Sequence, residues 1–305
     1  MKIATMATGG IGGFLAVKLA LSGHQVATIA RGEHLEAIKE NGLTLEGPKG
    51  LETIRPLIAT DEPSEVGEVD VVIFGIKGDG LDAAAQACLP MLGKDTVVVP
   101  FSNGVEAYER LVVHLPTHNV AKGVAGISTT ISQPGVIKQT GKFCQFVFAE
   151  SDSKASRRIK DLQNAINEAG ANAPETDDID RDLWSKFILF SAFSGVTAAG
   201  RCAAGDIVST KPLEELFKGL LAETAAVGRA RGVALSNSVL EDTWATLEGL
   251  PLNMRASTAI DLENEKPLEI EWVSGAVKRL AMKSGIDVPL NSALYALLSP
   301  YKNGR

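Results

Sequence analysis

Strand and helix signals alternate along the first part of the chain. A short apolar run at 2–6 leads into a glycine-rich turn, and apolar residues at helical spacing continue from there to Gly23. Near-continuous apolar runs at 69–77 and 95–101 are typical of strands that are buried on both faces. The alternation predicts an α/β domain with a mostly parallel, doubly wound sheet and right-handed connections. The predicted elements are strands at 2–6, 25–31, 69–77 and 95–101, helices at 11–23, 32–42 and 81–92, and a hairpin or two short strands within 43–60.

The pattern changes after residue 118. Residues 119–150 are rich in glycine and in residues that favour strands, which predicts antiparallel strands that complete the same sheet. A helix is predicted at about 153–169, and a short polar segment with a proline follows it. We place a domain boundary in that segment, at residue 176.

The remainder of the chain is predicted to be all-helical. Residues 182–200 are almost wholly apolar, so this helix should be buried nearly all round. Amphipathic helices are predicted after it at about 212–231, 236–248, 253–264, 270–284 and 290–299.

Length and composition narrow the class of protein. The chain has 305 residues, more than one core usually holds, which supports two domains, at 1–176 and 177–305. A net charge of −7 argues against nucleic acid or an anionic membrane as a partner, because both need a basic surface. The three cysteines form no C-x-x-C pair and the four histidines no H-E-x-x-H, so neither disulfides nor a metal site are expected. No apolar run reaches the ~18 residues of a membrane span, and we expect no signal peptide and a cytoplasmic location.

The glycine turn is the first candidate for chemistry. The segment "ATGGIG" resembles the dinucleotide-binding pattern G-x-G-x-x-G, with Ala7 in place of the first glycine. Gly9 would let the backbone approach a pyrophosphate, Gly10 and Ile11 would present the N–H groups of a helix N-terminus, and Gly12 would let the helix pack closely on the strand. If the first position needs a positive φ, alanine costs about 1–2 kcal/mol there, and otherwise it costs little. A glycine turn with a purely structural role is the alternative.

An arginine at the end of the second strand indicates which dinucleotide would bind. Arg31 lies where NAD-binding proteins usually carry an acidic residue, about 20 residues past the turn. A guanidinium suits the 2′-phosphate of NADP(H) by charge and by bidentate geometry. Glu33 could instead bind a ribose hydroxyl, and a solvated surface arginine is the other alternative. NADP(H) is the expected cofactor, bound in a Rossmann-like domain.

Several segments together resemble the ketopantoate reductase (2-dehydropantoate 2-reductase) family. They are "VVIFGIKGDG", "VVVPFSNGVE", "LWSKF" and "STAID…PLEIEWVSGAV", in this order along nearly the whole chain. The resemblance implies an NADP-binding domain, a helical substrate domain and reduction of a 2-oxo acid. The positions that match the family's functional residues are Arg31, Lys77, Asn103, Lys186, Ser257 and Glu269.

The resemblance also implies a role for each of these residues. Lys186 matches the catalytic acid, Glu269 a residue that orients the substrate hydroxyl, and Ser257 a residue that binds the carboxylate. Asn103 and Lys77 match residues that hold the junction of cofactor and substrate. Each residue also has an ordinary structural alternative. Asn103 could simply form a turn, and Lys77 could extend to solvent. Glu269 could cap a helix, and Ser257 could be a helix serine without a functional role.

Lys186 also stands out from the residues alone. It is the only charged residue between Asp182 and Arg201, in an otherwise apolar helix. Burial lowers the pKa of an amine, which would make it a usable general acid near neutral pH. A lysine that extends to the surface is the alternative.

The chain departs from the family on this same helix. Where family members that reduce ketopantoate typically present asparagines, one and two turns after Lys186, the chain has Phe190 and Ser194. We take both as substrate-binding positions, which predicts a more apolar pocket, although Phe190 could also be a core residue. A substrate group that loses a buried hydrogen bond costs about 1–3 kcal/mol, so selectivity for ketopantoate would weaken.

The sequence therefore predicts an NADPH-dependent reductase of 2-dehydropantoate or a related 2-oxo acid. Hydride transfer to the C2 carbonyl is expected, with Lys186 as the general acid, and a place in pantothenate biosynthesis would follow for 2-dehydropantoate. One alternative is a reductase of the same fold that acts on a different, more apolar ketone. Another is a non-catalytic NADP-binding sensor. The expected partner is a small-molecule 2-oxo acid, and a homodimer is the assembly considered.

Overall fold

The computed structural model describes residues 1–304, except for the side chain of Lys142. The chain divides into two compact units. The first comprises Met1–Ser102 and Ala107–Ile179, and the second comprises Asn103–Glu106 and the chain from Asp180 onward. The division at Ile179 lies close to the boundary predicted at residue 176. The assignment of Asn103–Glu106 to the helical unit has no counterpart in the sequence analysis.

The first unit contains two sheets. Its strands are β1 (Lys2–Met6), β2 (Gln25–Ile29), β3 (Leu43–Gly47), β4 (Gly50–Ile54), β5 (Ile58–Thr60), β6 (Val69–Phe74), β7 (Leu92–Pro100), β8 (Lys122–Gln133) and β9 (Val136–Ala149). Its helices are α1 (Gly10–Leu21), α2 (Gly32–Asn41), α3 (Leu81–Ala87), α4 (Ala107–His114) and α5 (Arg157–Glu168).

The main sheet is parallel throughout and has the strand order β5-β2-β1-β6-β7. The last residues of three strands, Met6, Ile29 and Phe74, lie side by side. The segments that follow these strands therefore start at one edge, where ligands bind in open α/β sheets. The predicted Rossmann-like α/β architecture with a helical C-terminal domain is confirmed.

The prediction that residues 119–150 complete this sheet is wrong. β8 and β9 instead form a second sheet with the β3–β4 hairpin, in the order β4-β3-β9-β8. Packing explains the difference, because Ile137 and Phe146 of β9 share a buried cluster with Phe14 of α1 and Ile3 of β1. The second sheet covers α1, whose other side packs on the main sheet.

Helix ends differ from the predicted bounds where a proline or a cap intervenes. The helix predicted at 81–92 ends at Ala87, and a 3₁₀ turn at Leu89–Met91 contains Pro90, which has no N–H to continue a helix. α5 begins at Arg157 because the Ser156 hydroxyl accepts a hydrogen bond from the Ile159 N–H. α4 was not predicted.

The second unit is helical, as predicted. Its helices are α6 (Ile179–Ala199), α7 (Ala204–Ser209), α8 (Lys211–Ala230), α9 (Val239–Glu248), α10 (Ser257–Glu263), α11 (Ser274–Ser284) and α12 (Pro289–Leu298). Every residue of α6 from Ser191 to Ala198 is buried, but its first half is only partly buried. α7 was not predicted, and the helix predicted from 270 begins as a 3₁₀ turn at Ile270–Trp272. Within residues 1–304, no helix combines the length and the apolar character that crossing a membrane requires.

Candidate cofactor site and proton-donor site

The glycine turn connects β1 to α1 and contains one residue in a left-handed conformation. Ala7, which replaces the first glycine of the pattern, has a φ of 61°. The turn is held by Thr8, whose N–H donates to the Ile29 carbonyl at 2.8 Å and whose hydroxyl lies 2.8 Å from that of Thr5. The position therefore requires a positive φ, and alanine is strained there.

The remaining glycines of the turn serve different purposes. A Cβ on Gly12 would lie 2.7 Å from the Ala7 carbonyl oxygen, and one on Gly75 would lie 2.8 Å from the Gly12 nitrogen, so close packing requires both glycines. A Cβ on Gly10 would lie 2.6 Å from the Thr129 carbonyl oxygen of β8. At Gly9, by contrast, the nearest atom would be 3.9 Å away. The fold itself therefore leaves room for a side chain at Gly9. A ligand that binds against the backbone at this position would need that room and would explain the glycine.

The start of α1 fits the phosphates of a dinucleotide. The first N–H groups of a helix, here those of Gly10, Ile11 and Gly12, have no intrahelical acceptor. No side chain caps this helix, and its first turn has no acidic residue. The helix dipole adds positive potential at the same place. The hydroxyl of Thr129, which lies against Gly10, is buried and has no hydrogen-bond partner among residues 1–304. These groups could hold a pyrophosphate.

Two predicted cofactor residues follow strands that end at the same edge. Arg31 is exposed at the N-cap of α2, just after β2. Lys77 is exposed three residues after β6, at the start of a 3₁₀ turn at Gly78–Gly80. Because β2 and β6 flank β1, the glycine turn lies between the strands that carry these two cations.

A histidine that the sequence pattern did not reveal contacts this turn. Nε2 of His34 donates to the Thr8 carbonyl at 2.8 Å, and Nδ1 accepts from the Gly135 N–H at 3.0 Å. The bond that Nδ1 accepts requires the neutral ring, and burial lowers the pKa of His34 below its usual 6.5. A lone histidine in a helix has no sequence pattern that would have identified this role.

In the second unit, three of the predicted residues come together. Nζ of Lys186 on α6 donates to Oδ1 of Asn103 at 3.4 Å, and Nδ2 of Asn103 donates to Oε2 of Glu269 at 3.2 Å. Asn103 reaches these groups because the segment Asn103–Glu106 belongs to this unit. Glu269 immediately precedes the 3₁₀ turn at Ile270–Trp272, and its side chain makes no capping hydrogen bond there. The structure therefore argues against the alternative that Glu269 is a helix cap.

Burial changes the acidity of the lysine. It lowers the pKa of Lys186 from 10.5 to about 8, and the negative charge of Glu269 acts in the opposite direction. At neutral pH the ammonium is therefore charged and gives up its proton more readily than an ordinary lysine. A group of this kind can protonate an alkoxide that forms beside it.

The two residues that depart from the family lie on the same helix. The Phe190 ring centroid is 5.4 Å from the Lys186 ammonium, within the range of a cation–π contact, and Phe190 is only partly buried. Ser194 is 1% exposed, and its hydroxyl has no partner within the described part of the chain. Ser257 is exposed and is the first residue of α10.

Comparison with known proteins identifies the family. The model described as "Ketopantoate reductase PanE/ApbA" matches residues 3–152, and the model of its C-terminal part matches residues 178–302. The chain belongs to the ketopantoate reductase family. It is thus a 2-dehydropantoate 2-reductase-like oxidoreductase, and this family uses NADPH.

Ketopantoate reductases are similar to this chain over its whole length. A 2-dehydropantoate 2-reductase of Mesorhizobium japonicum is 30% identical over 98% of this chain and 97% of its own. A structure of a PanE/ApbA family ketopantoate reductase from Ralstonia eutropha is 31% identical, with a TM-score of 0.90 over 99% of this chain and 98% of that one.

A third relative shares the fold at lower identity. The ternary structure of a D-mandelate dehydrogenase with NADH and anilino(oxo)acetate has a TM-score of 0.90 at 23% identity, over 99% of this chain and 98% of that one. The ketopantoate reductase fold is therefore shared by an enzyme named for an aromatic 2-hydroxy acid.

Proposed function

We propose that this ketopantoate reductase family member is an NADPH-dependent reductase of 2-oxo acids in which Lys186 is the general acid. The observation that supports this most directly is the lysine with a pKa of about 8, bound to Asn103, which in turn binds Glu269. A lysine whose pKa is lowered by burial beside a specific charged partner is the kind of group that serves in proton transfer.

The first unit would bind the cofactor. Gly10, Ile11 and Gly12 bring uncapped N–H groups to the pyrophosphate, Gly9 lets the ligand approach the backbone, and Arg31 pairs with the 2′-phosphate. Lys77 adds a second cation after the neighbouring strand. When bound, NADPH supplies the hydride that reduces the substrate carbonyl carbon to an alcohol.

The second unit would supply the proton and bind the substrate. As the carbonyl oxygen gains negative charge, Nζ of Lys186 donates a proton to it and becomes a neutral amine. Asn103 holds the ammonium in place, and Glu269 orients the hydroxyl that forms. The Ser257 hydroxyl would bind the substrate carboxylate.

The side chain of the substrate distinguishes two candidates. 2-Dehydropantoate, or ketopantoate, is the substrate named for the two ketopantoate reductases described above. A 2-oxo acid with an apolar side chain is the second candidate, and the Phe190 ring beside Lys186 favours it because phenylalanine cannot hydrogen-bond a substrate hydroxyl. The buried hydroxyl of Ser194 remains a proposed substrate contact.

Replacing Lys186 tests its proposed role as the general acid. Lys186→Ala should lower kcat about 10²-fold or more with the NADPH Kd unchanged, because the acid is lost and the cofactor turn is not. Lys283→Ala, at an exposed position of α11, is the control. Activity near that of the unmodified protein in Lys186→Ala would refute the assignment.

Replacing the arginine tests the cofactor. Arg31→Gln should weaken NADPH about 10-fold or more, as expected for loss of a charge-assisted pair, and should leave NADH binding unchanged because NADH lacks the 2′-phosphate. Equal losses for both cofactors would contradict this role for Arg31. Tight NADPH binding with no turnover on a broad panel of ketones would favour the non-catalytic sensor instead.

A further inference from the structure

The two segments that carry Asn103 and Glu269 are joined by one arginine. Arg279 on α11 donates to the Glu106 carboxylate through Nε, at 3.3 Å to Oε1, and through Nη2, at 2.5 Å to Oε2. Nη2 also donates to the main-chain carbonyl of Glu271 at 2.9 Å. Glu106 is three residues after Asn103, and Glu271 is two residues after Glu269. One guanidinium therefore holds both segments beside Lys186.

The same two segments also touch through their backbones. Gly104 has a φ of 96°, and a Cβ there would lie 2.7 Å from the Trp272 carbonyl oxygen. Such an approach leaves no room for a side chain. The guanidinium carbon of Arg279 lies 5.4 Å from the centroid of the Trp272 ring, so the arginine is itself held against the second segment.

A further set of contacts fixes the second segment to the end of the chain. The Tyr295 hydroxyl donates to Oε1 of Glu271 at 2.7 Å, and Nζ of Lys302 lies 3.3 Å from the same oxygen. These donors hold the pKa of Glu271 below its usual value, against the effect of its partial burial, so the carboxylate stays charged. Glu271 is thereby tied both to the end of the chain and to Arg279, whose Nη1 lies 3.9 Å from Oε2 of Glu271.

We propose that Arg279 is the positioning residue of the proton-donor site. The fork of the guanidinium suits this task, because it binds a carboxylate with two parallel donors and still has an N–H for a carbonyl. A lysine offers a point charge with no fixed fork, so it replaces the arginine only in part. The described contacts of Arg279 are with Glu106, Glu271 and Trp272, so it would act through Asn103 and Glu269 on the neighbouring segments. This inference rests on the proposed function.

The test combines kinetics with hydrogen exchange of the full chain. Arg279→Gln and Arg279→Lys are compared in the normal and in the Asn103→Ala background, with NADPH and a panel of 2-oxo acids. Lys218→Gln is the matched control, since Lys218 also pairs with a glutamate, Glu214, at 2.6 Å and lies over a tryptophan ring, Trp244. Glu106→Gln, which keeps the shape of the carboxylate, repeats the test if the Arg279→Gln protein does not fold.

Arg279→Gln should lower kcat about 10-fold or more, because small displacements of catalytic groups are costly, and should leave the KM for NADPH unchanged. Arg279→Lys should recover part of the loss, and Lys218→Gln should stay near the unmodified protein. In the Asn103→Ala background, Arg279→Gln should add a smaller loss than in the normal background, because one of the two residues through which it acts is already removed. The same loss in both backgrounds would overturn the proposal.

Hydrogen exchange measured by mass spectrometry reports how firmly the two segments are held, and it does not depend on catalytic activity. Peptides that cover 103–106 and 269–272 should exchange faster in Arg279→Gln than in Lys218→Gln. If the unmodified protein reduces none of the 2-oxo acids, the proposed function fails while this comparison still decides the role of Arg279. Unchanged exchange of both peptides would refute the positioning role.

Discussion

Ala7→Gly should stabilise the protein. Ala7 has a φ of 61°, and a left-handed conformation costs an L-residue about 1–2 kcal/mol that glycine does not incur. Glycine loses about 0.4–1 kcal/mol more than alanine through the entropy of the unfolded chain. Ala7 is only partly buried, so little packing is lost with its methyl group. The expected net gain is about 0.8 kcal/mol, the middle of the range of about 0–1.6 kcal/mol that these two effects leave.

Thermal unfolding without cofactor is the assay. A gain of this size should raise Tm by about 1–4 °C, judged from the shifts typical of domains of this size. Ala83→Gly, at an exposed position inside α3, is the matched control and should lower the stability by about 1 kcal/mol, because glycine is unfavourable within a helix. A Tm that falls or stays unchanged in Ala7→Gly would refute the claim of strain. The NADPH Kd should not rise, since the turn keeps its shape.

Three further outcomes are expected. Phe190→Asn with Ser194→Asn should raise kcat/KM for 2-dehydropantoate and lower it for aryl 2-oxo acids; a rise for both substrates would contradict a role in specificity. Glu269→Gln should move the alkaline limb of the pH profile to lower pH, because Glu269 raises the pKa of Lys186, and an unmoved limb would show that the two do not interact. His34 has a folded-state pKa below its unfolded value of 6.5, so its contribution to stability is full above pH 6.5 and is lost as the pH falls. Urea titrations at pH 5 and 7.5 should show that His34→Gln removes this pH-dependent part, and an identical pH dependence in both proteins would contradict it.

The main sheet could be predicted because its signals are local. Buried strands such as β6 are continuous apolar runs, and Gly23 and Gly42 end helices with positive φ values that glycine adopts freely. The antiparallel pairing of β8 with β9 was predicted, but the pairing of β9 with β3 could not be predicted in this way. β9 pairs with β3, about 90 residues earlier in the chain, and the sequence pattern records which residues favour strands but not which strands pair.

The part of the candidate site that could be predicted is the part whose sequence segments resemble those of the family. That resemblance pointed to Lys186, Asn103 and Glu269, and the structure brings these three side chains together. Arg279 and His34 were missed, because each acts through contacts between segments far apart in the chain. Neither residue belongs to a spacing pattern that could have revealed it.

Whether Lys186 is the proton donor can be decided from the pH dependence of kcat/KM for NADPH oxidation, measured with 2-dehydropantoate and with an apolar 2-oxo acid as substrates. If Lys186 donates the proton, kcat/KM should fall about tenfold for each pH unit above about 8, as the ammonium is lost. A profile that stays flat to pH 10, or no oxidation with either substrate when bound NADPH is verified, would contradict the account.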